Sequence, residues 1–274
     1  MSYQAEINRS NPSLIVFLID QSESMEDGIR GDSDVPKMEG VAKAINRFIA
    51  SLVTRCTRGP GNVYPYYYVG AIGYGDSVRP AFGGNLEGAV TVCISDLAPA
   101  ARVDTTVIQR ESGVEIIKTK AWIDPAADGL TPMCEAFRRA KQVTQSFLSK
   151  FPDCYPPMVI NITDGDATDG DPRADASAIA GLSSSDGSVL VFNIHVSSTN
   201  APSIMFPNGD QQLKDELARV LFSMSSQLPD RMRQVGKELK LDIASGARGF
   251  AFNADLTCIT NLLEIGTRSA TMAR

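Results

Sequence analysis

Ser-Leu-Ile-Val-Phe-Leu-Ile-Asp, residues 13–20, is an apolar run that stops abruptly at an acid. A run that is apolar on both faces is typical of a strand in a parallel sheet covered by helices on both sides. Residues 157–163 form a second such run, and it is followed by Asp164. The two runs therefore predict buried parallel strands, each with a carboxylate at its carboxyl end.

Helical spacing of apolar residues separates these and further predicted strands. Residues 36–53 carry apolar side chains at every third or fourth position, with Ser33 or Asp34 as predicted caps and Pro36 in the first turn. The further predicted strands are 66–74, 78–82, 90–94, 115–122, 189–196 and 249–253, and the further helices are 132–150, 174–182, 211–227, 230–239 and one from 256. This alternation predicts an α/β fold, a doubly wound (Rossmann-like), mostly parallel sheet with helices on both faces. No linker divides the chain, so we expect a single domain, 1–274, with an insertion at about 83–120.

Composition and charge exclude several classes of protein. Hydrophobic residues make up 43% of the 274 residues, which is enough for a core and excludes disorder as the main description. The net charge of −6 disfavours nucleic acid or an anionic membrane as the main partner. The longest apolar run is six residues, 14–19, too short to span a bilayer. The start has no secretion-signal pattern and the five scattered cysteines fit a reducing compartment, so we expect a cytoplasmic protein.

Oxygen donors cluster at the predicted strand ends. Asp20, Ser22 and Ser24 follow the first strand, Asp164 follows the strand 157–163, and Thr131 lies in a loop that opens a helix. Open α/β sheets bind ligands beyond the carboxyl ends of their strands, so we expect these side chains to meet. Hydroxyl and carboxylate oxygens suit Mg²⁺, with Mn²⁺ or Ca²⁺ as alternatives, rather than zinc or copper. An ion held largely by neutral hydroxyls stays electrophilic, so a Glu or Asp of a partner protein is a favourable further ligand.

These residues resemble the metal-ion-dependent adhesion site of the von Willebrand factor A (VWA) family. The resemblance lies in the DxSxS run Asp20–Ser24, in Thr131 before a helix, and in Asp164 within Ile-Thr-Asp-Gly. The flanking segments 36–44, 129–133 and 247–252 are also similar to the family, so the resemblance covers nearly the whole chain outside 83–120. It implies that the three hydroxyls ligate the metal and that the two carboxylates coordinate it directly or through water.

The resemblance also implies a function. Stand-alone bacterial members of the family often serve as adaptors, with partners such as MoxR-type AAA+ ATPases or kinase and phosphatase modules. Two departures from the family pattern matter here. Glu23 stands where bacterial members usually have glycine, which adds charge at the rim of the site. The loop 25–35 is longer than usual, and we expect it to cover part of the approach to the metal.

Two other functions remain open from the residues. A Mg²⁺-dependent phosphohydrolase would use Asp20 as its nucleophile, but Ser22 stands where haloacid dehalogenase-like phosphatases place a general acid. No phosphate loop of the GxxxxGK type is present either. A structural subunit with a vestigial metal site is the other alternative. We predict a binding protein and no enzyme.

Three further sequence features have plain structural interpretations. The acidic loop 164–171 fails the EF-hand template, whose sixth position is glycine and whose twelfth is glutamate, so we expect a solvated loop beside the metal. His195, the only histidine, lies in a predicted strand and is expected to be packed rather than catalytic. The tripeptide Arg30-Gly31-Asp32 is interpreted as a chance match to an adhesion motif.

Overall fold

The computed structural model describes residues 3–110, 113–199 and 201–268. The strands in these ranges are β1 (Ser13–Asp20), β2 (Gly28–Ile29), β3 (Asp32–Pro36), β4 (Tyr67–Tyr74), β5 (Val78–Pro80), β6 (Thr91–Cys93), β7 (Arg102–Arg110), β8 (Gly113–Ala121), β9 (Met158–Thr163), β10 (Ser183–Ser184), β11 (Gly187–Ser188), β12 (Leu190–Val196), β13 (Ile204–Met205) and β14 (Phe250–Ala254). The α-helices are α1 (Lys37–Cys56), α2 (Ile94–Leu97), α3 (Met133–Lys150), α4 (Arg173–Ala180), α5 (Glu216–Met224), α6 (Asp230–Glu238) and α7 (Leu256–Arg268).

The central sheet runs in the order β13-β14-β12-β9-β1-β4-β5, and β6 also pairs with β4. Its five middle strands, β14 to β4 in this order, are parallel, while β13, β5 and β6 are antiparallel additions. The predicted α/β class with a mostly parallel sheet is therefore confirmed. From β1 the chain first adds β4 on one side and later adds β9 on the other. The direction of winding thus reverses between β1 and β9, the position at which sheets of this kind bind ligands.

Strand β1 explains why the sheet is covered on both faces. Ile15, Phe17 and Ile19 pack in one core layer, with residues of α1, α6 and α7. Leu14, Val16 and Leu18 pack in the opposite layer, with residues of α3, α4 and α5. Successive side chains of a strand point to opposite faces, so only an uninterrupted apolar run can satisfy both layers.

The predicted caps of one helix and the predicted start of another are wrong, for local reasons. Helix α1 begins at Lys37, and Ser33 and Asp34 do not cap it because they lie in β3, which pairs with β2 in a short hairpin. The N-cap position belongs to Pro36. The predicted helix 211–227 is reduced to α5, whose N-cap Asp215 accepts a hydrogen bond from the backbone of Ala218 at 3.0 Å. That cap sets the start of α5 five residues later than the apolar spacing suggests.

The segment 83–120, predicted as an insertion, contains β6, α2 and most of a long hairpin. Strands β7 and β8 pair from Arg102–Ala121 to Arg110–Gly113, and β7 is a strand that the sequence did not predict. The hairpin is missed because the side chains described in it are mostly exposed: Val103, Val114 and Ile116 are each more than 60% exposed. Directly after the hairpin, the buried Trp122 donates its Nε1–H to the carbonyl oxygen of Leu97 at 2.7 Å and so fixes the segment to the core.

The described ends of the chain lie at the amino-end edge of the parallel strands. Ile7 and Thr267 line one small cavity together with Ser13, Tyr67 and Leu190, the first residues of β1, β4 and β12. The strand ends that carry Asp20 and Asp164 are at the other edge. Within the described ranges, none of the helices has the length and apolar character needed to cross a bilayer.

Candidate metal centre

Asp20 is the last residue of β1, and its side chain is inaccessible to solvent. One carboxylate oxygen, Oδ1, accepts a hydrogen bond from the backbone N–H of Ser22 at 2.9 Å. The other, Oδ2, accepts one from the Thr163 hydroxyl at 2.6 Å. The carboxylate is thus held by two uncharged donors, one from its own loop and one from the neighbouring strand β9.

A continuous chain of hydrogen bonds links the loop after β1 to the loop after β9. The hydroxyl oxygens of Ser22 and Ser24 are 3.2 Å apart, and the Ser24 hydroxyl donates to Oδ1 of Asp164 at 2.8 Å. Ser22 is buried, whereas Ser24 is exposed. Four of the five residues singled out in the sequence, Asp20, Ser22, Ser24 and Asp164, are therefore in contact.

Thr131 lies in a loop that is hydrogen-bonded to the loop after β1 and to the loop after β9. The N–H of Asp128 donates to the carbonyl of Gln21 at 2.6 Å, and the N–H of Glu23 donates to the carbonyl of Gly129 at 3.1 Å. On the other side, the N–H of Thr131 donates to the Thr168 hydroxyl at 3.1 Å and its carbonyl accepts from the Thr168 N–H at 2.9 Å. Thr131 itself is buried. The three loops are thus joined at the carboxyl-end edge of the sheet.

Gly129 is required for this arrangement. Its φ is +69°, in the left-handed region that side chains rarely adopt. A Cβ at this position would lie 2.5 Å from the Cα of Asp76, closer than any real contact. The backbone of the loop can therefore approach the turn after β4 only because this residue has no side chain.

Among the described residues, the buried Asp20 carboxylate has no charged partner and would be stabilised by a cation. Burial raises the pKa of the Asp20 carboxyl to about 6; hydrogen bonds from Thr163 and Ser22 lower it, and the charge of Asp164 raises it. A buried carboxylate whose partners carry no charge is stabilised by any cation that approaches it. In the described ranges no three His, Cys, Asp or Glu side chains converge as a metal site. The donors here are instead hydroxyls with two carboxylates, a set of hard oxygens that fits Mg²⁺, Mn²⁺ or Ca²⁺.

Lys37 is a member of the centre that the sequence reading did not single out. Its Nζ lies 2.6 Å from Oδ2 of Asp164, with side chains only 5% and 2% exposed, and 3.5 Å from the exposed carboxylate of Asp27. Lys37 is the first residue of α1, where a positive charge is unfavourable because the helix dipole is positive there. The Asp164 and Asp27 carboxylates offset this cost, but neither pairing has a signal in the spacing of the sequence. Thr163 was also missed, because it reads simply as the end of an apolar strand.

The acidic loop after β9 fixes α3. Both carboxylate oxygens of Asp169 accept backbone N–H groups in the first turn of α3, from Cys134 at 3.0 Å and Glu135 at 2.9 Å. Burial acts to raise the pKa of Asp169, but these backbone hydrogen bonds outweigh it and the pKa is lowered. Asp171 pairs with the nearby Arg173 at 2.6 Å on the surface. The loop therefore uses its acids within the fold, not as an EF-hand.

His195 and the long loop 25–35 are structural. The ring of His195 stacks on Phe252 with centroids 4.5 Å apart, and its Nδ1 accepts the N–H of Asn253 at 3.4 Å. The long loop contains the β2–β3 hairpin, in which the N–H of Arg30 donates to the carbonyl of Ser197 at 2.7 Å. The Arg30 guanidinium also donates to the Ser203 hydroxyl and to the carbonyl of Asn253. The hairpin is thus fastened beside the ends of β12 and β14.

Comparison with known proteins gives matches among solved structures. No protein-family model matches the chain, and no curated protein does. Proximal thread matrix protein 1 from the mussel byssus is 15% identical with a TM-score of 0.47, over 96% of this chain and 49% of that one; a second structure of that protein has a zinc-occupied MIDAS motif.

Two further solved structures match this chain at similarly low sequence identity. Manganese-loaded TRAP protein of Plasmodium vivax is 12% identical with a TM-score of 0.44, over 93% of this chain and 72% of that one. The ArnB paralog VWA2 of Sulfolobus acidocaldarius is 12% identical with a TM-score of 0.36, over 70% of this chain and 36% of that one. The chain spans about half the length of the mussel protein and about a third of VWA2.

Proposed function

We propose that this chain is a VWA-type domain that binds a divalent cation, Mg²⁺ by the chemistry of its ligands, and uses it to capture an acidic side chain of a partner protein. Ser22, Ser24 and Thr131 would supply hydroxyl ligands, and Asp20 and Asp164 would coordinate the ion directly or through water. The observation that carries the proposal is the hydrogen-bonded chain from Asp20 through both serines to Asp164, at the point where the winding of the sheet reverses.

The geometry favours binding over catalysis. A nucleophilic Asp20 would need a free carboxylate oxygen that a phosphate ester can reach. The side chain of Asp20 is inaccessible, and both of its oxygens accept hydrogen bonds from Ser22 and Thr163. This arrangement supports an electrostatic role for Asp20 beneath the ion and disfavours the phosphohydrolase alternative.

The surface around the centre indicates the kind of partner. Leu130, next to Thr131, is 68% exposed, and an exposed apolar side chain beside a polar centre suits a protein surface. Exposed acids follow the strands on both sides: Glu23, Glu26 and Asp27 after β1, and Asp166 after β9. They repel an acidic segment unless a cation intervenes. We therefore propose that the partner's metal-binding acid is flanked by basic residues, on a protein such as a MoxR-type AAA+ ATPase or a kinase or phosphatase module.

The first test needs no partner. Titration calorimetry with Mn²⁺ and Mg²⁺ compares the wild type with Thr131→Ala and with Thr54→Ala, the same substitution at an exposed position of α1. Because removing one of the few protein ligands weakens an oxygen site, we expect Thr131→Ala to lose at least tenfold in affinity and Thr54→Ala to bind as the wild type does. Absence of binding to the wild type would refute the proposal.

The second test addresses capture. Tagged wild type and Thr131→Ala are used for pull-down from cell extract in Mg²⁺ and in EDTA, and the retained proteins are identified. A partner retained only by wild type in Mg²⁺, and released by changing one Glu or Asp of the partner to Ala, supports metal-bridged capture. A partner retained equally in all four conditions would place the interface elsewhere and contradict the proposal.

A further inference from the structure

Lys37 places a positive charge inside the candidate metal centre. Its Nζ is 2.6 Å from Oδ2 of Asp164, and the other oxygen of that carboxylate already accepts the Ser24 hydroxyl. Both side chains of the pair are almost completely buried, so solvent does not weaken their attraction. Each oxygen of the Asp164 carboxylate therefore has a partner, one of them a cation, before any ion arrives.

The lysine is held in this position by the fold. Its backbone N–H donates to the carbonyl of Asp27 at 2.8 Å, which ties the start of α1 to the loop after β1. The hairpin between these two points is anchored through Arg30 to Ser197. The ammonium consequently cannot move away from Asp164 without a change in its own side-chain conformation, and the amino end of α1 adds to the positive potential at that carboxylate.

We infer that Lys37 is a built-in cation that competes with the divalent ion for Asp164, and that it thereby sets the metal affinity of the centre. This inference rests on the proposed function. An ion that coordinates Asp164, directly or through water, lies close to the ammonium, and the two positive charges repel each other in a buried setting. Loading the centre therefore requires either displacement of Lys37 from Asp164 or acceptance of the repulsion, and both weaken binding. If Lys37 instead positioned Asp164 for the ion, removing the lysine would weaken binding.

The test uses Lys37→Met, which keeps an unbranched side chain of similar length and removes the charge. Lys43→Met is the matched control, because Lys43 is exposed on the same helix, about 9 Å further along its axis. Mn²⁺ alone is the probe in titration calorimetry at constant pH. We expect Lys37→Met to bind Mn²⁺ at least tenfold more tightly than the wild type, and Lys43→Met to stay within about twofold because solvent and salt screen its charge.

Thermal unfolding gives a second readout, because the melting temperature can be measured both without metal and with Mn²⁺ bound. In EDTA, Lys37→Met should melt below the wild type, since Asp164 is left buried without a cation. Addition of Mn²⁺ should then raise the melting temperature of the variant by more than that of the wild type. Lys37→Gln, which keeps an N–H donor toward Asp164 without the charge, serves if the methionine variant does not fold in EDTA.

The outcomes separate the two proposals. Wild-type binding with equal or weaker binding by Lys37→Met overturns the inference and leaves the proposed function standing. Binding by Lys37→Met but not by the wild type supports the inference and overturns the proposed function, since the lysine then keeps the natural centre closed. Binding by neither protein overturns both.

Discussion

The cap on α3 gives a prediction whose size can be worked out from its contacts. Asp169 lies in the loop after β9 and accepts two backbone N–H groups from the first turn of α3, the helix that follows Thr131. Replacing a helix cap by alanine costs about 1 kcal/mol, and loss of a negative charge at this end of a helix costs up to about 1 kcal/mol more. We therefore expect Asp169→Ala to lower the free energy of unfolding by about 2 kcal/mol at pH 7.

Urea unfolding, followed by the fluorescence of the single, buried Trp122, measures this change. The midpoint should fall with an unchanged slope, because the amount of surface exposed on unfolding stays the same. Asp169→Asn, which keeps one acceptor and loses the charge, should cost about half as much. Asp171→Ala is the control: this carboxylate is more than half exposed and bonds mainly to Arg173, so its loss should leave the midpoint close to that of the wild type.

The pH dependence provides an independent check on the same residue. The pKa of Asp169 is lowered in the folded protein, so its stabilising contribution is present above the unfolded-state value of about 3.9 and is lost as the pH falls through the lowered folded-state value. The difference between wild type and Asp169→Ala should thus be constant from pH 7 to about 5 and should shrink below about 4. Identical unfolding curves for Asp169→Ala and Asp171→Ala at pH 7 would refute the capping role.

Three further predictions concern other contacts. Gly129→Ala, at φ +69° and 2.5 Å from Asp76, should both destabilise the protein by more than about 1 kcal/mol and weaken Mn²⁺ binding; a variant with unchanged affinity would show that this loop does not hold the ion. Tyr74→Phe should cost about 2 kcal/mol in urea unfolding, because the buried Tyr74 hydroxyl donates to Oδ1 of Asn161 at 2.6 Å, and a cost below about 0.5 kcal/mol would contradict that bond. All five cysteines are buried, so the native protein should react with less than about one equivalent of a thiol reagent at pH 8 and the unfolded protein with all five; rapid native labelling would be inconsistent with this packing.

The sequence predicts the sheet well because strands buried on both faces need short, continuous apolar runs, which distinguish them from the amphipathic helices around them. Residues 14–19 are apolar throughout, and 158–163 are apolar apart from Asn161 and Thr163. Both strands are followed by polar residues, where the helices no longer cover the chain. The acids and hydroxyls that follow are therefore visible as a pattern. Their convergence follows from one rule, that the carboxyl ends of neighbouring parallel strands share an edge.

The rest depends on contacts without a local signature. Asp164 lies 127 residues after Lys37, and Thr163 lies 143 residues after Asp20, so neither pairing is written in spacing. Strand β7 shows no clear apolar alternation; within the described part of the chain it pairs only with β8, and the side chains described at 103–105 and 114–116 are exposed. The caps predicted for α1 and the start predicted for α5 are wrong for a similar reason, since a competing hairpin occupies the former and a later acid sets the latter. Whether the five site residues bind an ion stays a prediction for the titrations above.

The meeting of Ile7 and Thr267 at the amino-end edge of the sheet has a practical consequence. A bead, a fluorophore or another folded unit joined near either of these residues would sit on the opposite pole of the molecule from Asp20 and Asp164. Immobilisation through a residue near Ile7 or Thr267 would thus leave the strand-end loops facing solution. Two copies linked through residues near Ile7 or Thr267 would present their strand-end loops in opposite directions, so that the pair could bind two partners at once.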